Sequence, residues 1–322
     1  TDGSFNSVSI GKGANSVAEN TVLGQNALDA SVSGGSLTAV GFNALTACTS
    51  GGTNTAIGRK TLEFVTTGQS NTAVGANALN KNTASNNTAV GKNALLLNTT
   101  GTGNVAVGRE ALNANTTADS NTAVGDLALM ANTTGATNTA VGREALQNNT
   151  TASDNTAVGY QALEENTTGS TNVAVGALAL DANTTGSGNT SLGKSSLSAN
   201  TTASNNTAVG NDALKLNTTG TQNVAVGSLA LRDNTTANDN TALGYAGLLN
   251  NETGASNTAV GKGALGNNTT ASNNVALGAD TLALNTTGAA NVAIGRLALG
   301  NNTTASNNVG IGHNALTANT TG

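Results

Sequence analysis

The residues able to do chemistry are few. The chain has one histidine, His313, and one cysteine, Cys48, far apart in the sequence, so no nucleophile and base arrangement can be drawn. His313 follows Gly312 in a slot that elsewhere holds Lys, Arg, Tyr or Ala, which makes it a solvated surface residue. A single cysteine excludes an intrachain disulfide and leaves no cysteine cluster for a metal. Cys48 is read as a small, partly buried residue in a degenerate repeat, with an interchain disulfide as the alternative. The acidic residues are isolated, and the calcium-binding nonapeptide of other β-solenoids is missing. Gly-x-Gly runs such as Gly11-Lys12-Gly13 fall at repeat corners, so no phosphate loop is read into them. The Asn-Thr-Thr triplets match an N-glycosylation pattern, but the triplet belongs to the repeat itself. No catalytic residue, metal ligand or cofactor is expected, and the chain is read as a non-enzyme.

The composition points away from a compact domain. Of the 322 residues, 9% are charged and 2% aromatic, against about 25% charged in ordinary globular proteins. Phe5, Phe42, Phe64, Tyr160 and Tyr245 are the only large rings, and proline and tryptophan are missing. Such a chain cannot fill a wide core, whereas thin stacked layers manage with Ala, Val and Leu. The net charge of −5 is scattered, which nominates neither nucleic acid nor an anionic membrane as partner. No apolar run approaches the roughly 20 residues of a membrane span. Thr1 to Ser7 carry no signal-peptide pattern, so the sequence is expected to be a mature or excised segment whose export route is not visible.

The organisation is set by a repeat. A marker glycine closes each Thr-Ala-Val-Gly-like tetrad, at Gly11, Gly24, Gly41, Gly58, Gly75, Gly91, Gly108, Gly125, Gly142, Gly159 and Gly176, then every 17 residues to Gly312. Two steps are shorter: 13 residues from Gly11 to Gly24 and 16 from Gly75 to Gly91, where a Thr is missing near Thr83-Ala84. The residue before each marker is aliphatic, and a small residue, nearly always Ala, precedes it. Alternation of β-branched and small residues, as in Thr122-Ala123-Val124, is a strand signature. Neither face looks made for water: one is expected to fill the interior, the other to pack on a second surface. Four residues after the marker stands Leu, from Leu28 to Leu316. Too few residues separate marker and triplet for a stable helix, so a second short strand or an irregular side is expected. The predicted core includes Val124, Leu129, Val141, Leu146, Val158 and Leu163.

Asn opens the triplet at Asn98, Asn115, Asn132, Asn149 and Asn166, and in the other late repeats, whereas Ser31, Cys48 and Val65 stand there earlier. A second Asn lies four residues before most markers. Asn suits corners because it bonds turn backbone and tolerates left-handed conformations, and stacked amides form ladders. Each coil is thus expected to have two Asn corners and a Gly turn. After the triplet, Gly and Ala nearly alternate, from Gly101 and Ala118 to Gly220 and Ala237, with Gly186 as a break; this suggests duplication of 34-residue units, and sequence alone supplies no physical need for it. Charges cluster just after the marker or the Leu, as in Arg109-Glu110 and Glu164-Glu165. These positions vary most and define the solvent side.

The expected fold is all-β: a parallel β-solenoid, or β-roll, of about nineteen 17-residue coils, about 90 Å long at the sheet spacing, with short coils over residues 1–35 and the 17-residue array over 36–322. A strand apolar on both faces predicts a closed homo-oligomer, a trimer. Asn319-Thr320-Thr321-Gly322 stops within a coil without a polar cap, so a longer chain, another domain or another subunit is expected to cover that end.

The opening Asn6-Ser7-Val8-Ser9-Ile10-Gly11-Lys12-Gly13-Ala14-Asn15-Ser16-Val17-Ala18, followed by Asn20-Thr21-Val22-Leu23-Gly24, resembles the head repeats of trimeric autotransporter adhesins of the Yersinia adhesin type. Later coils, of the form Asn-Thr-Ala-Val-Gly-x-x-Ala-Leu-x-x-Asn-Thr-Thr-Gly, are similar to arrays in bacterial surface proteins and phage tail fibres. The resemblance implies a left-handed β-roll in an intertwined homotrimer, although the 17-residue coil is longer than the adhesin repeat. It does not separate bacterial adhesin from phage fibre. The leading expectation is a shaft or head for surface attachment, extracellular on a bacterium or virion, with a host receptor or glycan as possible partner. The alternatives are a filament subunit stacking end to end and, as a minor reading, an ice-binding solenoid.

Overall fold

The computed structural model describes residues 3–320. Thr1 and Asp2, at the start of the expected 1–35 segment, and the closing Thr321-Gly322 lie outside the described residues. Strands β1 to β10 are Gly3–Phe5, Val8–Gly11, Thr21–Gly24, Thr38–Val40, Thr55–Ile57, Thr72–Val74, Thr88–Val90, Val105–Val107, Thr122–Val124 and Thr139–Val141. Strands β11 to β20 are Thr156–Val158, Val173–Val175, Thr190–Leu192, Thr207–Val209, Val224–Val226, Thr241–Leu243, Thr258–Val260, Val275–Leu277, Val292–Ile294 and Val309–Ile311. There is no helix among the described residues. The chain is a parallel β-solenoid of about seventeen turns, and it divides into two compact units, Thr1–Ala157 and Val158–Gly322.

In both units each strand pairs in parallel with the same slots of the next: Thr38↔Thr55, Ala39↔Ala56 and Val40↔Ile57 in the first, Thr207↔Val224, Ala208↔Ala225 and Val209↔Val226 in the second. The N-terminal end differs. β1 and β2 form an antiparallel hairpin, with Asn6 and Ser7 at φ 51 and 63 in its two-residue turn, the left-handed pair that matches strand twist. β2 then pairs antiparallel to β3. The 13-residue step between Gly11 and Gly24 is therefore a reversal of chain direction rather than a short coil.

The interior is thinner than the strand pattern suggests. Ala123 is fully buried, while Thr122 and Val124 on either side are only half-buried. Val124, Val141 and Val158, expected in the core, thus face outward, and Val141 is 36% exposed. Leu129, Leu146 and Leu163 are fully buried as expected. The reason is width. Within one coil the residue two before the marker faces the residue three after it. A Cβ on Gly247 would lie 3.7 Å from the Ala242 Cβ, and where both slots carry Ser, Ser191 Oγ donates across to the Ser196 carbonyl at 2.9 Å. A Cβ on Gly310 would already meet the Leu299 side chain at 3.1 Å. From β4 onward the facing slots hold only Ala, Gly, Ser or Thr, so strand period forces the larger neighbours out.

The side between marker and triplet is irregular, built from turns. Ala128 N–H donates to the Gly125 carbonyl at 3.3 Å and Asn132 N–H to Leu129 at 3.3 Å. Leu129 sits at φ 53, and every Leu of this column is left-handed, at a cost of about 1–2 kcal/mol each. Its N–H is bonded to the next coil at Ala145 O, 2.9 Å away, and its side chain is fully buried, which offsets that cost. The marker glycine is required twice over. Gly125 has φ 142, and a Cβ there would stand 2.3 Å from the Gly142 carbonyl oxygen.

Two buried Asn columns fasten coil to coil. In the triplet column Asn115 Nδ2 donates to Asn98 Oδ1 at 2.8 Å and to the Ala118 carbonyl at 3.1 Å; Asn132 and Asn149 continue it at 3.1 and 2.9 Å, and Asn166 donates to Gly169 O at 2.9 Å. In the column before the strands, Asn121 N–H donates to Asn104 Oδ1 and Asn121 Nδ2 to Gly135 O, both at 2.9 Å. Cys48 takes a triplet slot, fully buried, its Sγ 3.4 Å from the Gly51 carbonyl. The residue missing near Thr83 is absorbed locally, since Asn98 Nδ2 still reaches Asn82 Oδ1 at 2.7 Å.

The Gly and Ala alternation has a physical counterpart. Where Gly follows the triplet, the next backbone N–H is taken by a short side chain in the following coil: Thr102 by Asp119 Oδ1 at 2.6 Å, Ala136 by Ser153 Oγ at 3.0 Å, Thr221 by Asn238 Oδ1 at 2.7 Å, Ala289 by Ser306 Oγ at 2.9 Å. At the break, Ser187 serves Ser170 and is itself served by Ser204, both at 3.0 Å. A Cβ on Gly101 would lie 2.3 Å from Ala118 O. The Gly coil sits tight on its successor, and the successor supplies the acceptor.

Candidate functional site

With Ala, Leu and Asn sealed inside, any function rests on three outer faces of the coil. The strand face carries two outward rows. The residue before the marker is Val, Leu or Ile in all strands from β3 to β20, and the residue three before the marker is Thr or Val. No charged residue interrupts either row. Within each unit, period-two geometry sets both rows on the same side of the sheet, and the parallel ladder repeats them at the strand spacing of about 4.8 Å.

The triplet face carries a Thr at its third position, exposed in every coil from Thr100 to Thr304. The Thr before it is tied inward, as Thr99 Oγ1 donates to the Thr116 carbonyl at 2.9 Å. The triplet Asn is fully buried with its amide nitrogen committed to two acceptors, which closes this glycosylation motif in the folded chain.

The turn side is the variable one and holds most of the charge. Arg109 reaches Asp126 of the next coil with two bonds, at 2.8 and 3.0 Å, and Asp126 holds the guanidinium pKa above its ordinary value. Lys60 lies 3.5 Å from Glu63, Lys215 3.1 Å from Asp212, and Arg232 2.7 Å from Asp233. Burial pushes the Glu63 carboxyl up, but hydrogen bonds from Asn43 and Asn80, with the Lys60 ammonium, outweigh it and leave the group below the usual value. Burial pushes Asp181 up, and the Glu165 carboxylate adds to this against two backbone donors. Burial likewise raises the Cys48 thiol, although its bond to Gly51 opposes the rise.

Of the residues singled out in the sequence, the marker glycines, the triplet Asn column and the leucines form the interior, and the valines form the outer strand face. His313 is exposed on the turn side. Among the described residues no group of three His, Cys, Asp or Glu side chains is placed to hold a metal. No helix of the described residues is long and apolar enough to cross a membrane. The third-position Thr of the triplets, on which the ice-binding alternative rests, is exposed in each coil from Thr100 to Thr304. No protein-family model matches the chain, and no curated protein is similar to it.

Proposed function

We propose that this chain is a structural fibre or adhesin segment: a rigid β-roll shaft or head, homotrimeric, that serves surface attachment on a bacterium or a virion. The carrying observation is the pair of buried Asn columns, which hydrogen-bond each coil to the next. Such a stack transmits position and resists bending, since a coil cannot deform without breaking buried amide bonds to its neighbours. Its work is reach and display, and a receptor or glycan would be met by the variable turn side, where side chains change without disturbing the interior. Static and dynamic light scattering test the reading. A particle of three times 31.1 kDa supports it, and a monomer overturns its trimeric part.

A second reading, ice binding, draws support from the Thr column Thr100 to Thr304 and the strand face. A thermal-hysteresis assay that returns zero removes it.

A further inference from the structure

We infer that the strand face is a self-association surface, packed about a rotation axis against the equivalent faces of the other copies of this chain in coil register. This rests on the oligomeric reading above and says where the copies meet.

The coils form an internal alignment in which burial explains most of the uniformity. Marker Gly, the small inward residues, Leu and both Asn columns are nearly constant because close packing and committed amides restrict them. Exposed slots drift: the slot after the marker runs Phe42, Arg59, Ala76, Lys92, Arg109, Asp126. The residue before the marker breaks this pattern. It reaches the surface, with Leu192 46% and Leu243 47% exposed, yet it is aliphatic from Leu23 to Ile311. A solvent-facing row that admits no polar residue is placed against something apolar.

The extent is of the right order. Nineteen outward residues of the two rows fall in Val158–Gly322, fifteen of them aliphatic, against the roughly 20–30 residues a side of a stable association. The face has no charge with which to steer a partner of opposite sign. It does have a strict period, one row step per coil, and a surface with the same period meets it at every step. The chain itself is such a surface, and equivalent faces meeting about a rotation axis close into a finite assembly. The Thr hydroxyls at the rim of each strand tolerate partial hydration there.

The test uses the full chain. In one variant Val209→Lys, Val226→Lys and Leu243→Lys charge the strand face; in a control Asn211→Lys, Ser228→Lys and Tyr245→Lys charge the turn side of the same coils. Light scattering is expected to give an oligomer for wild type and control and 31.1 kDa for the strand-face variant, with far-UV circular dichroism unchanged. Should the charged variant fail to fold, Thr258→Cys with Cys48→Ser provides a second readout. Mild oxidation is expected to cross-link that outward position to its copy, and Lys262→Cys in the same background is expected not to cross-link. An oligomer that survives the strand-face charges, or cross-linking by the Lys262→Cys variant and not by the Thr258→Cys variant, overturns the inference while leaving the trimer reading standing. A monomeric wild type overturns both.

Discussion

The two walls of a single strand answer to different constraints. On the inner wall of β14, Ala208 is fully buried, two steps from the Asn206 amide that donates to Gly220 at 2.9 Å. On the outer wall, Thr207 and Val209 are half-buried and point away from the coil interior. Both walls are nearly invariant along the chain. The inner one is invariant because its slot is two Cβ atoms wide and its amides are committed. The outer one has no such internal reason, and its uniformity is that of a surface made to be covered.

The sharpest way to break this contrast is to cut into the inner wall. Leu214→Ala empties a fully buried site and is expected to cost about 2–5 kcal/mol. Because each coil contacts only its neighbours, hydrogen exchange should rise in the coils around Leu214 before the rest, and a uniform rise across the chain would contradict that locality. Asn200→Ala comes next. Asn200 donates to Asn183 Oδ1 and to Ala203 O and accepts from Asn217 Nδ2, so its loss leaves buried polar groups unmet at about 1–3 kcal/mol each. Denaturant unfolding should register a loss of that size. On the outer wall Val209→Thr, which keeps the β-branch and copies the neighbouring row, is expected to change stability by less than about 0.5 kcal/mol under conditions that keep the chain monomeric. An outer-wall cost equal to that of Asn200→Ala would end the distinction between the walls.

Much of the inner wall was legible because its residues are punctuated by type. Gly125 recurs where φ is positive and the next coil's carbonyl is too close for a Cβ, and Asn115 recurs where an amide must both donate and accept. Leu129 was placed correctly by its constancy alone. The orientation of Thr122-Ala123-Val124 was not legible. Alternation tells that successive side chains point oppositely, and size then suggests that Val goes inward, but the deciding quantity is the distance across the coil, which emerges only when Ala242 and Gly247 are seen face to face. The hairpin was hidden for a related reason: Ile10-Gly11 looks like a marker strand, and strand direction leaves no mark in a four-residue motif. The Gly and Ala alternation was visible but unexplained until Asp119 and Ser153 were seen reaching into the preceding coil.

A pH-dependent effect separates two carboxylates that share one slot, five residues after the marker. Glu63 in the first unit accepts from Asn43 at 3.0 Å and Asn80 at 2.9 Å, whereas Asp181 in the second has a buried oxygen with no hydrogen-bond partner and Glu165 nearby. Glu63 has its pKa lowered from 4.5 in the fold, so its stabilisation is present above that value and is lost as pH falls through the lower folded value. Asp181 has its pKa raised from 3.8, so its ionised form opposes folding above the folded value and the penalty fades as pH falls through it. Glu63→Gln should therefore lower stability at neutral pH and flatten the acid loss in its coils, by about 1 kcal/mol or less. Asp181→Asn should raise stability at neutral pH. Local hydrogen exchange between pH 7 and pH 3 checks both signs, and variants that shift in the same direction at neutral pH would show that the slot, rather than its hydrogen-bond partners, sets the behaviour of the acid.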